Sequence, residues 1–250
     1  MDATTSQEHS HPPAVTADGV PASLRTAILS FLLACAARSV RGQGNRHCSM
    51  LIHVTRFNAV QTAVHRQVAD LMRGITQRLQ RRIDSARLLD DLRKLWLEDF
   101  VPATELVLAH VKDPSIRRVS WEQIADVLPD VASDIEVRMI NGTAKDALDY
   151  VDNAATGLKV IAIGGDKLAR GLTLEGLCTS YFLRASRMYD TLMQMGRWFG
   201  YRRGYGDLCR LFTTDELIRW YRDIAMATEE LYAQFEDMRI MNATPKEFGL

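Results

Sequence analysis

The sequence predicts an α/β fold built on a parallel sheet with flanking helices, and two observations support this fold class. Short apolar runs rich in strand-forming residues alternate with segments of helical periodicity, as expected of parallel strands joined by right-handed crossovers. The chain has 250 residues, of which 47% are hydrophobic and 25% charged, so it is long and apolar enough to bury a sizeable core. The predicted strands are residues 49–55, 135–140, 158–163, 178–183 and 207–212.

The amino-terminal part is predicted to be a tail followed by an apolar helix. Residues 1–21 are rich in Ser, Thr, His, Pro and Ala without a periodic apolar pattern, so we expect a disordered tail or linker. Ser23 has the side chain of an N-cap residue, and apolar residues follow it at helical spacing to about Ser39. Residues 22–250 are predicted to form one domain.

A helical insertion is predicted between the first two strands. A helix is expected from Asn58 to about Arg73, and residues 75–130 have helical periodicity and no strand pattern. Pro102 and Pro114 are expected to interrupt this insertion, because proline removes a helical hydrogen bond. Two further helices are predicted, over residues 188–199 and 215–238.

The charge balance by itself gives no support for nucleic-acid binding. The chain has 31 Lys and Arg against 31 Asp and Glu, so its net charge is zero. Arginines nevertheless cluster at 78–87 and 197–210, so a basic surface that binds nucleic acid is one interpretation of the sequence. A solvated helix face is the competing interpretation of the first cluster.

Cysteine usage and hydropathy indicate a cytoplasmic protein. The four cysteines are far apart and form no CxxC pair, so we expect buried free thiols in a reducing compartment. Histidines and cysteines show no ligand spacing, so no metal site is predicted. The most apolar stretch, Ala27 to Ala37, is shorter than the roughly 20 residues that a membrane span needs, and it begins too late for a signal peptide.

The residues that carry chemistry lie between 161 and 212. A buried strand ends in Gly164-Gly165 and is followed by an acid and an Ala-Arg-Gly tripeptide. Further along, several arginines stand among glycines at 196, 200 and 204. Glycine lets the backbone approach a ligand closely, and the arginine fork matches the geometry of a phosphate. This pattern predicts phosphate recognition at the carboxyl ends of the strands.

These strings resemble motifs V and VI of superfamily 2 helicases. Motif V has the form Asp-x-x-Ala-Arg-Gly, which residues 166–171 match. Motif VI has a Gln or His, then Gly-Arg, then Gly and a further Arg. Gln194, Gly196, Arg197, Gly200 and Arg202 match it, with one extra residue between Arg197 and Gly200. This offset leaves open whether Arg197, Arg202 or Arg203 is the arginine finger.

Two further strand ends and one longer string extend the resemblance. Thr55-Arg56 resembles motif IV, and Asn141-Gly142 occupies the place of a motif that grips the nucleic-acid backbone. The segment QMGRWFGYRRGYGDLCRLF resembles the Z-one domain family. Members of this family carry an endonuclease label. They are attached to superfamily 2 helicase proteins of bacterial restriction or DNA-modification systems. The strings PASLRTAILSFLLACAARSVRG and MINGTAKD also resemble this family, so the resemblance covers roughly residues 21–240.

The resemblance implies a RecA-like sheet and three sets of site residues. The catalytic set is Gln194, Arg197 and Arg202; the nucleotide-binding set is Gly165, Asp166 and Arg203; the nucleic-acid set is Thr55, Arg56, Asn141, Gly142, Arg170 and Gly171. Competing interpretations are a structural arginine at 170, a helix N-cap at 166, and core packing rather than base stacking for Trp198, Phe199, Tyr201 and Tyr205.

The expected function is that of the second lobe of a helicase-type, nucleic-acid-dependent ATPase. The chain has no GxxxxGK[ST] string, so ATP and Mg²⁺ are expected to be held by a missing first lobe, supplied upstream in cis or by a partner in trans. The chain would then be a fragment, a shortened product or one half of a pair. DNA is the expected nucleic acid, and RNA remains open.

Two other functions compete with the motor. Asp130 and Glu136-Val-Arg138 resemble a PD…ExK nuclease core, but Arg replaces the expected Lys and Asp130 is predicted to lie in a loop. A metal-dependent endonuclease is nevertheless the first alternative function. A non-catalytic module that binds nucleic acid is the second.

Overall fold

The computed structural model describes residues 19–55, 57–140, 150–165, 174–183 and 202–241. Most of the predicted tail and the predicted helix over 188–199 lie outside these ranges. The division of the chain into a tail at 1–21 and one domain at 22–250 therefore stays a prediction.

The chain forms a five-stranded sheet in which every strand pair is parallel. The strands are β1 (Cys48–His53), β2 (Ile135–Ile140), β3 (Lys159–Gly164), β4 (Leu177–Phe182) and β5 (Arg210–Phe212). Their spatial order is β2-β3-β1-β4-β5, and each neighbouring pair runs in the same direction. The predicted α/β class with a parallel sheet is confirmed, and all five predicted strands are present within three residues of their expected starts.

Within the described ranges, the helices lie before β1, between β1 and β2, and after β5. They are α1 (Ala22–Arg38), α2 (Asn58–Arg81), α3 (Ala86–Leu95), α4 (Val101–His110), α5 (Trp121–Asp134) and α6 (Asp215–Met241). Wide π-type turns follow α1 at Ser39–Gln43 and join α3 to α4 at Trp96–Phe100. A short 3₁₀ turn, Gly206–Leu208, precedes β5.

Alternation along each strand gives the sheet an apolar layer on both faces. Met50 and Ile52 of β1 pack with the helices α1, α2, α3 and α5, whereas Leu51 packs with the residues of the opposite face. That second layer includes Leu217 and Ile224 from the start of α6. Because both faces are covered, the strands read as almost continuous apolar runs, as is usual for parallel sheets.

The described residues between β1 and β2 form four helices and no strand, which agrees with the helical periodicity of the sequence. Helix α2 continues to Arg81, beyond the predicted end, because buried residues recur at helical spacing up to Leu79. The predicted interruption at Pro102 is present as the π-type turn Trp96–Phe100, after which α4 begins with this proline in its first turn. Pro114 lies in the turn between α4 and α5, as predicted.

The start of α1 differs from the prediction. The N-cap position is Pro21, without a side-chain cap, and Ser23 is already helical. The Ser23 hydroxyl instead forms a 2.9 Å hydrogen bond with the Tyr181 hydroxyl of β4, so a tertiary contact replaces the local cap.

Helix α1 and its π-type turn are long and apolar enough to cross a membrane by length and composition alone. However, 72% of the most apolar window is buried inside the protein. The helix packs against α5 and β4, so it is a core helix of the α/β fold. The cytoplasmic location stays a prediction.

Candidate functional site: two edges of the parallel sheet

The carboxyl ends of β1, β3 and β4 meet at one edge of the sheet. Gly165 follows β3 directly, Thr55 lies two residues after β1, and Leu183 follows β4. The Leu183 N–H donates a 3.1 Å hydrogen bond to the His53 carbonyl oxygen, which joins β1 and β4 up to their last residues. We call this edge, with Thr55, Gly165 and Leu183, the carboxyl edge.

The strand order contains a topological switch point between β1 and β4. The chain leaves β1 towards β2 on one side of the sheet, whereas it leaves β4 towards β5 on the other side. With right-handed crossovers, two such connections lie on opposite faces. A crevice forms where neighbouring strands send their connections to opposite faces, and ligands of open α/β sheets bind there. Residues 166–173 and 184–201 follow this edge directly in the chain.

Thr55 is fixed at this edge by the start of α2. Its hydroxyl oxygen accepts a 3.2 Å hydrogen bond from the Phe57 N–H, and its carbonyl oxygen accepts a 3.0 Å bond from the side-chain amide of Gln61, a buried residue. A threonine hydroxyl has one hydrogen to donate in addition. Thr55 can therefore donate to a ligand oxygen while its backbone stays in place.

The amino ends of the strands form the opposite edge, and this edge holds Arg202 and Arg203. These residues precede β5, and the turn that follows them is bound to the π-type turn after α1. A six-residue strand rises roughly 3.3 Å per residue, so the two edges are about 16–20 Å apart. The structure therefore separates Arg202 and Arg203 from Thr55 and Gly165, and it does not bring these four predicted site residues together.

Gly204 is held by several bonds at this amino edge. Its N–H donates a 2.7 Å hydrogen bond to Asp113 Oδ2, and its carbonyl oxygen accepts bonds of 3.3 Å from both Arg41 and Gln43. Its φ is +80°, and a Cβ there would lie 2.5 Å from Gln43 Nε2 and 3.0 Å from Ser115 Cβ. Only glycine fits this turn without strain.

A buried ion pair fastens the same turn to α1. Arg41 donates from Nη1 to Asp207 Oδ1 at 2.8 Å and from Nη2 to Asp207 Oδ2 at 2.6 Å. The side chains are 1% and 0% exposed, respectively. Thr104 of α4 donates a further 2.7 Å bond to Asp207 Oδ2, and Arg41 Nε donates to the Arg117 carbonyl oxygen at 2.9 Å. We call Arg41, Thr104, Asp113, Gly204 and Asp207 the amino-edge network.

Arg38 adds a second cation beside this network. Its guanidinium lies 4.1 Å above the Tyr205 ring, and Nη1 donates to the His47 carbonyl oxygen at 2.8 Å. Tyr205 is half-buried, and burial raises the pKa of its hydroxyl. Tyr205 could be expected either to pack within the protein or to stack on a nucleic-acid base. Its contact with Arg38 supports packing.

Three buried thiols surround the Arg38 guanidinium. Cys48 Sγ lies 3.0 Å from Arg38 Nη1. Hydrogen bonds from the Cys178 and Cys35 thiols, together with Arg38, hold the pKa of Cys48 well below its usual range, and burial raises the pKa of Cys35. All four cysteines are free, and three of them are buried, with Cys209 half-buried, in agreement with the prediction of buried thiols.

The two described arginines of the predicted site have different surroundings. Arg203 is exposed, and its charge contributes to the low pKa of Asp113, which is caused mainly by hydrogen bonds from the N–H groups of Ser115 and Gly204. Arg202 is half-buried, and its charge acts on Tyr205 and Cys209. Both arginines therefore stand at a turn whose backbone is held by several bonds.

Most of the predicted site residues lie outside the described ranges. These are Arg56, Asn141, Gly142, Asp166, Arg170, Gly171, Gln194 and Arg197. Their roles stay predictions.

Sequence reasoning does not find the amino-edge network, because its members look unrelated. Arg41 lies beyond the predicted end of the first helix, and Asp207 is the first residue of a predicted strand. Arg38 and Arg41, which follow the apolar stretch 27–37, are an available signal, because a cation at a core boundary needs a buried partner. The partner itself, 166 residues away, had no local signal.

The nuclease hypothesis gains no support from the described geometry. Asp130 is exposed on α5, so its predicted loop location is wrong. Glu136 forms an ion pair with Arg138 at 2.7 Å. In the part of the chain that the structure describes, no three His, Cys, Asp or Glu side chains come together as a metal site.

The fold defines an α/β protein with a five-stranded parallel sheet. A family model described as the Z1 domain matches residues 23–250. This is the Z-one domain family that the sequence resembles. The chain therefore belongs to the Z1 domain family. No curated protein and no solved structure matches it.

Proposed function

We propose that this chain acts as the second RecA-like lobe of a superfamily 2 helicase-type, nucleic-acid-dependent ATPase in a bacterial restriction or DNA-modification system. ATP and Mg²⁺ are bound by a first lobe, in cis or in trans. The observation that supports this proposal best is the change of chain direction between β1 and β4, because β3 ends at the same edge and Gly165 after it is followed directly by the motif V string 166–171.

The carboxyl edge is suited to a nucleic-acid backbone. Thr55 has a hydroxyl hydrogen to donate, and phosphate oxygens accept from threonine hydroxyls and from arginine. Arg170 and Gly171 follow β3, and Asn141 and Gly142 follow β2, so the chain order puts these residues after strands that end at the same edge. In this proposal they contact DNA, with RNA as the other substrate to test.

The amino-edge network supports a role for the arginines in ATP hydrolysis. An arginine stabilises charge in a transition state only if its position is fixed before the reaction. The backbone that follows Arg202 and Arg203 is held by Arg41 and Asp113 through Gly204, and by the buried Arg41–Asp207 pair. Such a turn fixes the backbone next to the two arginines, which favours a role as an arginine finger.

The proposal is tested by ATPase kinetics on the chain joined to the lobe that binds ATP. Arg197→Ala or Arg202→Ala is expected to lower turnover by about 10³–10⁵-fold, as loss of an arginine finger does in other phosphoryl-transfer enzymes. Nucleotide affinity is expected to change far less, because the lost interaction acts in the transition state. Lysine at either position should not restore turnover, since it lacks the planar fork.

Arg239→Ala is the matched control for these variants, because Arg239 is an exposed arginine on α6 outside both edges. It should leave turnover unchanged. The chain without the first lobe should hydrolyse ATP at background rate. Near-complete turnover by both Arg197→Ala and Arg202→Ala, in folded protein, would refute the motor proposal.

The nucleic-acid contact has a separate test. Arg170→Ala should weaken binding to a DNA duplex and reduce the slope of log affinity against log salt by about one unit, as expected for one lost phosphate contact. An unchanged salt slope would remove Arg170 from the proposed contact.

A further inference from the structure

Helix α2 and the turn that follows it are basic, although the chain as a whole has no net charge. Residues 58–87 contain six arginines and two aspartates, which gives this segment a net charge of +4. Helices α5 and α6 are acidic instead, with a net charge of −4 each. The overall balance of charges therefore conceals one basic helix.

The arginines of α2 share the face that points away from the core. Arg66, Arg73 and Arg81 are seven and eight residues apart, close to two helical turns in each case, so their side chains lie on one side of the helix. All three are exposed. This face carries a single acid, Asp70, which already pairs with Arg73 at 2.9 Å.

The acidic helix α5 lies against a different side of α2. His65 contacts the Val137 carbonyl oxygen of β2 at 3.3 Å, and the Thr76 hydroxyl donates a 3.1 Å bond to the Ala132 carbonyl oxygen of α5. At 100° per residue, these two positions lie about a quarter of a turn or more from the arginine face. The face of Arg66 is therefore open to solvent rather than directed at α5.

Helix stability explains only part of this charge. Cations are favourable in the last turn of a helix, and Arg78 and Arg81 stand there. Arg66 and Arg73 lie at least two turns earlier, where this effect has faded. Among the described residues, Arg66, Arg81 and Arg82 have no hydrogen-bond or ion-pair partner. Their charges are available to a partner molecule.

The composition of the same face indicates which partner it fits. Helix α2 contains no Phe, Tyr or Trp, and Val60 is its only large apolar residue that is exposed. A membrane-binding helix needs an exposed apolar face, and the centres of protein interfaces are rich in aromatic residues and poor in charge. The exposed neighbours of the arginines are instead hydroxyl and amide side chains, namely Thr62, Gln67, Gln77 and Gln80. Together with arginine, these side chains are the ones that contact nucleic-acid phosphates.

Helix α2 also begins at the carboxyl edge. Its first turn is joined to Thr55 by the Phe57 N–H and by the Gln61 side chain. With 24 residues at about 1.5 Å each, the helix is about 36 Å long, which is roughly one turn of a B-form duplex. A nucleic acid that contacts Thr55 can therefore continue along the arginine face.

We propose that the outer face of α2 binds the phosphate backbone of duplex DNA next to the carboxyl edge. Arg66, Arg73 and Arg81 each contact a phosphate, and Arg82 extends the surface beyond the end of the helix. This inference rests on the proposed function, because the duplex is the one that reaches the carboxyl edge. It adds a duplex-binding surface that lies outside every motif-derived residue.

The test measures binding of the full chain to a 20-base-pair duplex by fluorescence anisotropy at several salt concentrations. The triple variant Arg66→Gln, Arg73→Gln, Arg81→Gln should reduce the slope of log affinity against log salt by about 2–3 units, as expected for three lost phosphate contacts. Affinity at 50 mM salt should fall at least about tenfold. Glutamine is a good helix former, so α2 should stay folded.

The matched control is the triple variant Arg219→Gln, Arg222→Gln, Arg239→Gln. It removes three exposed arginines from the acidic helix α6 and changes the net charge by the same amount. It should leave the salt slope unchanged. An equal loss of slope in both triple variants would show an effect of net charge alone and would overturn the proposal.

Two other results would also overturn it. One is a wild-type salt slope in the α2 variant. The other is α2-dependent binding to phosphatidylserine vesicles that is as strong as binding to the duplex, because the surface would then recognise anionic lipid.

Failure here differs from failure of the proposed function. If Arg170→Ala loses one unit of slope while the α2 variant loses none, only the α2 surface is wrong. If the α2 variant loses slope while Arg197→Ala and Arg202→Ala keep full turnover, the motor proposal is wrong and the α2 surface is supported.

Discussion

The buried ion pair between Arg41 and Asp207 makes a quantitative prediction about stability. Asp207→Asn keeps the shape of the side chain but removes its charge. In the wild-type chain Asp207 accepts two bonds from Arg41 and one from Thr104, and all three are 2.8 Å or shorter. An asparagine directs an N–H₂ group at donors, so at least one of these bonds is lost and the Arg41 charge stays buried without a counter-ion.

The expected size follows from that burial. Removing one partner of a buried ion pair costs about 3–5 kcal/mol, because the other charge remains desolvated. Arg41 keeps its bonds to the carbonyl oxygens of Arg117 and Gly204, which satisfy part of its donors, so we expect the lower half of this range. The assay is urea unfolding followed by circular dichroism, with the free energy of unfolding extrapolated to water.

Two controls separate charge burial from other effects. Glu236→Gln removes one partner of the exposed pair with Arg239 and should leave stability almost unchanged. The double variant Arg41→Met with Asp207→Leu removes both charges and should recover much of the loss, as apolar replacements of buried pairs often do. A loss for Asp207→Asn no larger than that for Glu236→Gln would refute the reasoning.

Three further predictions concern the same part of the fold and the thiols. The pKa of Asp113 is lowered mainly by the N–H groups of Ser115 and Gly204, so the carboxylate contributes stability that is complete above the unfolded pKa of about 3.9 and is lost as pH falls through the folded pKa. Asp113→Asn should therefore be less stable than wild type at pH 6, and this difference should shrink below pH 4 in urea titrations; a difference independent of pH would contradict this assignment. Gly204→Ala should destabilise the chain by about 1–3 kcal/mol, because alanine is strained at φ +80° and its Cβ meets Gln43; a stability equal to wild type in the same assay would show that the turn adapts. The three buried thiols should react with Ellman's reagent only as fast as the chain opens, while all four cysteines react at once in urea; rapid native reaction of more than one thiol would show that the core is open.

The sheet was predictable from sequence because its signal is local. Runs such as Cys48–His53 and Lys159–Gly164 are buried on both faces and therefore consist almost entirely of apolar, strand-forming residues. The position of Gly165 at the carboxyl edge followed from the parallel order of the strands. The start of β5 was predicted three residues too early, because Asp207 belongs to a turn held by a distant arginine, and no periodicity within the segment records that contact.

Only the carboxyl edge of the candidate site could be predicted from the sequence, because only its residues have a local sequence signal. Thr55 and Gly165 follow strands and can be assigned to an edge from chain order alone. The partner of Ser23 lies 158 positions away in the sequence, and the partner of Arg41 lies 166 positions away. Local propensity carries no information about such pairs, and a tertiary contact overrides the local N-cap preference at Ser23.

The long sequence separations within the amino-edge network also have a kinetic consequence. Arg41 and Asp207 enclose 165 intervening residues, and Gly204 meets Asp113 across 91 positions. Contacts between such distant positions form late, since the entropy of closing the loops is lost before the contacts compensate for it. During synthesis from the ribosome, α1 and β1 emerge long before their partner at Asp207. The turn after Arg202 and Arg203 can therefore acquire its fixed geometry only when nearly the whole sheet has assembled, so a partly folded chain would carry these arginines without orienting them.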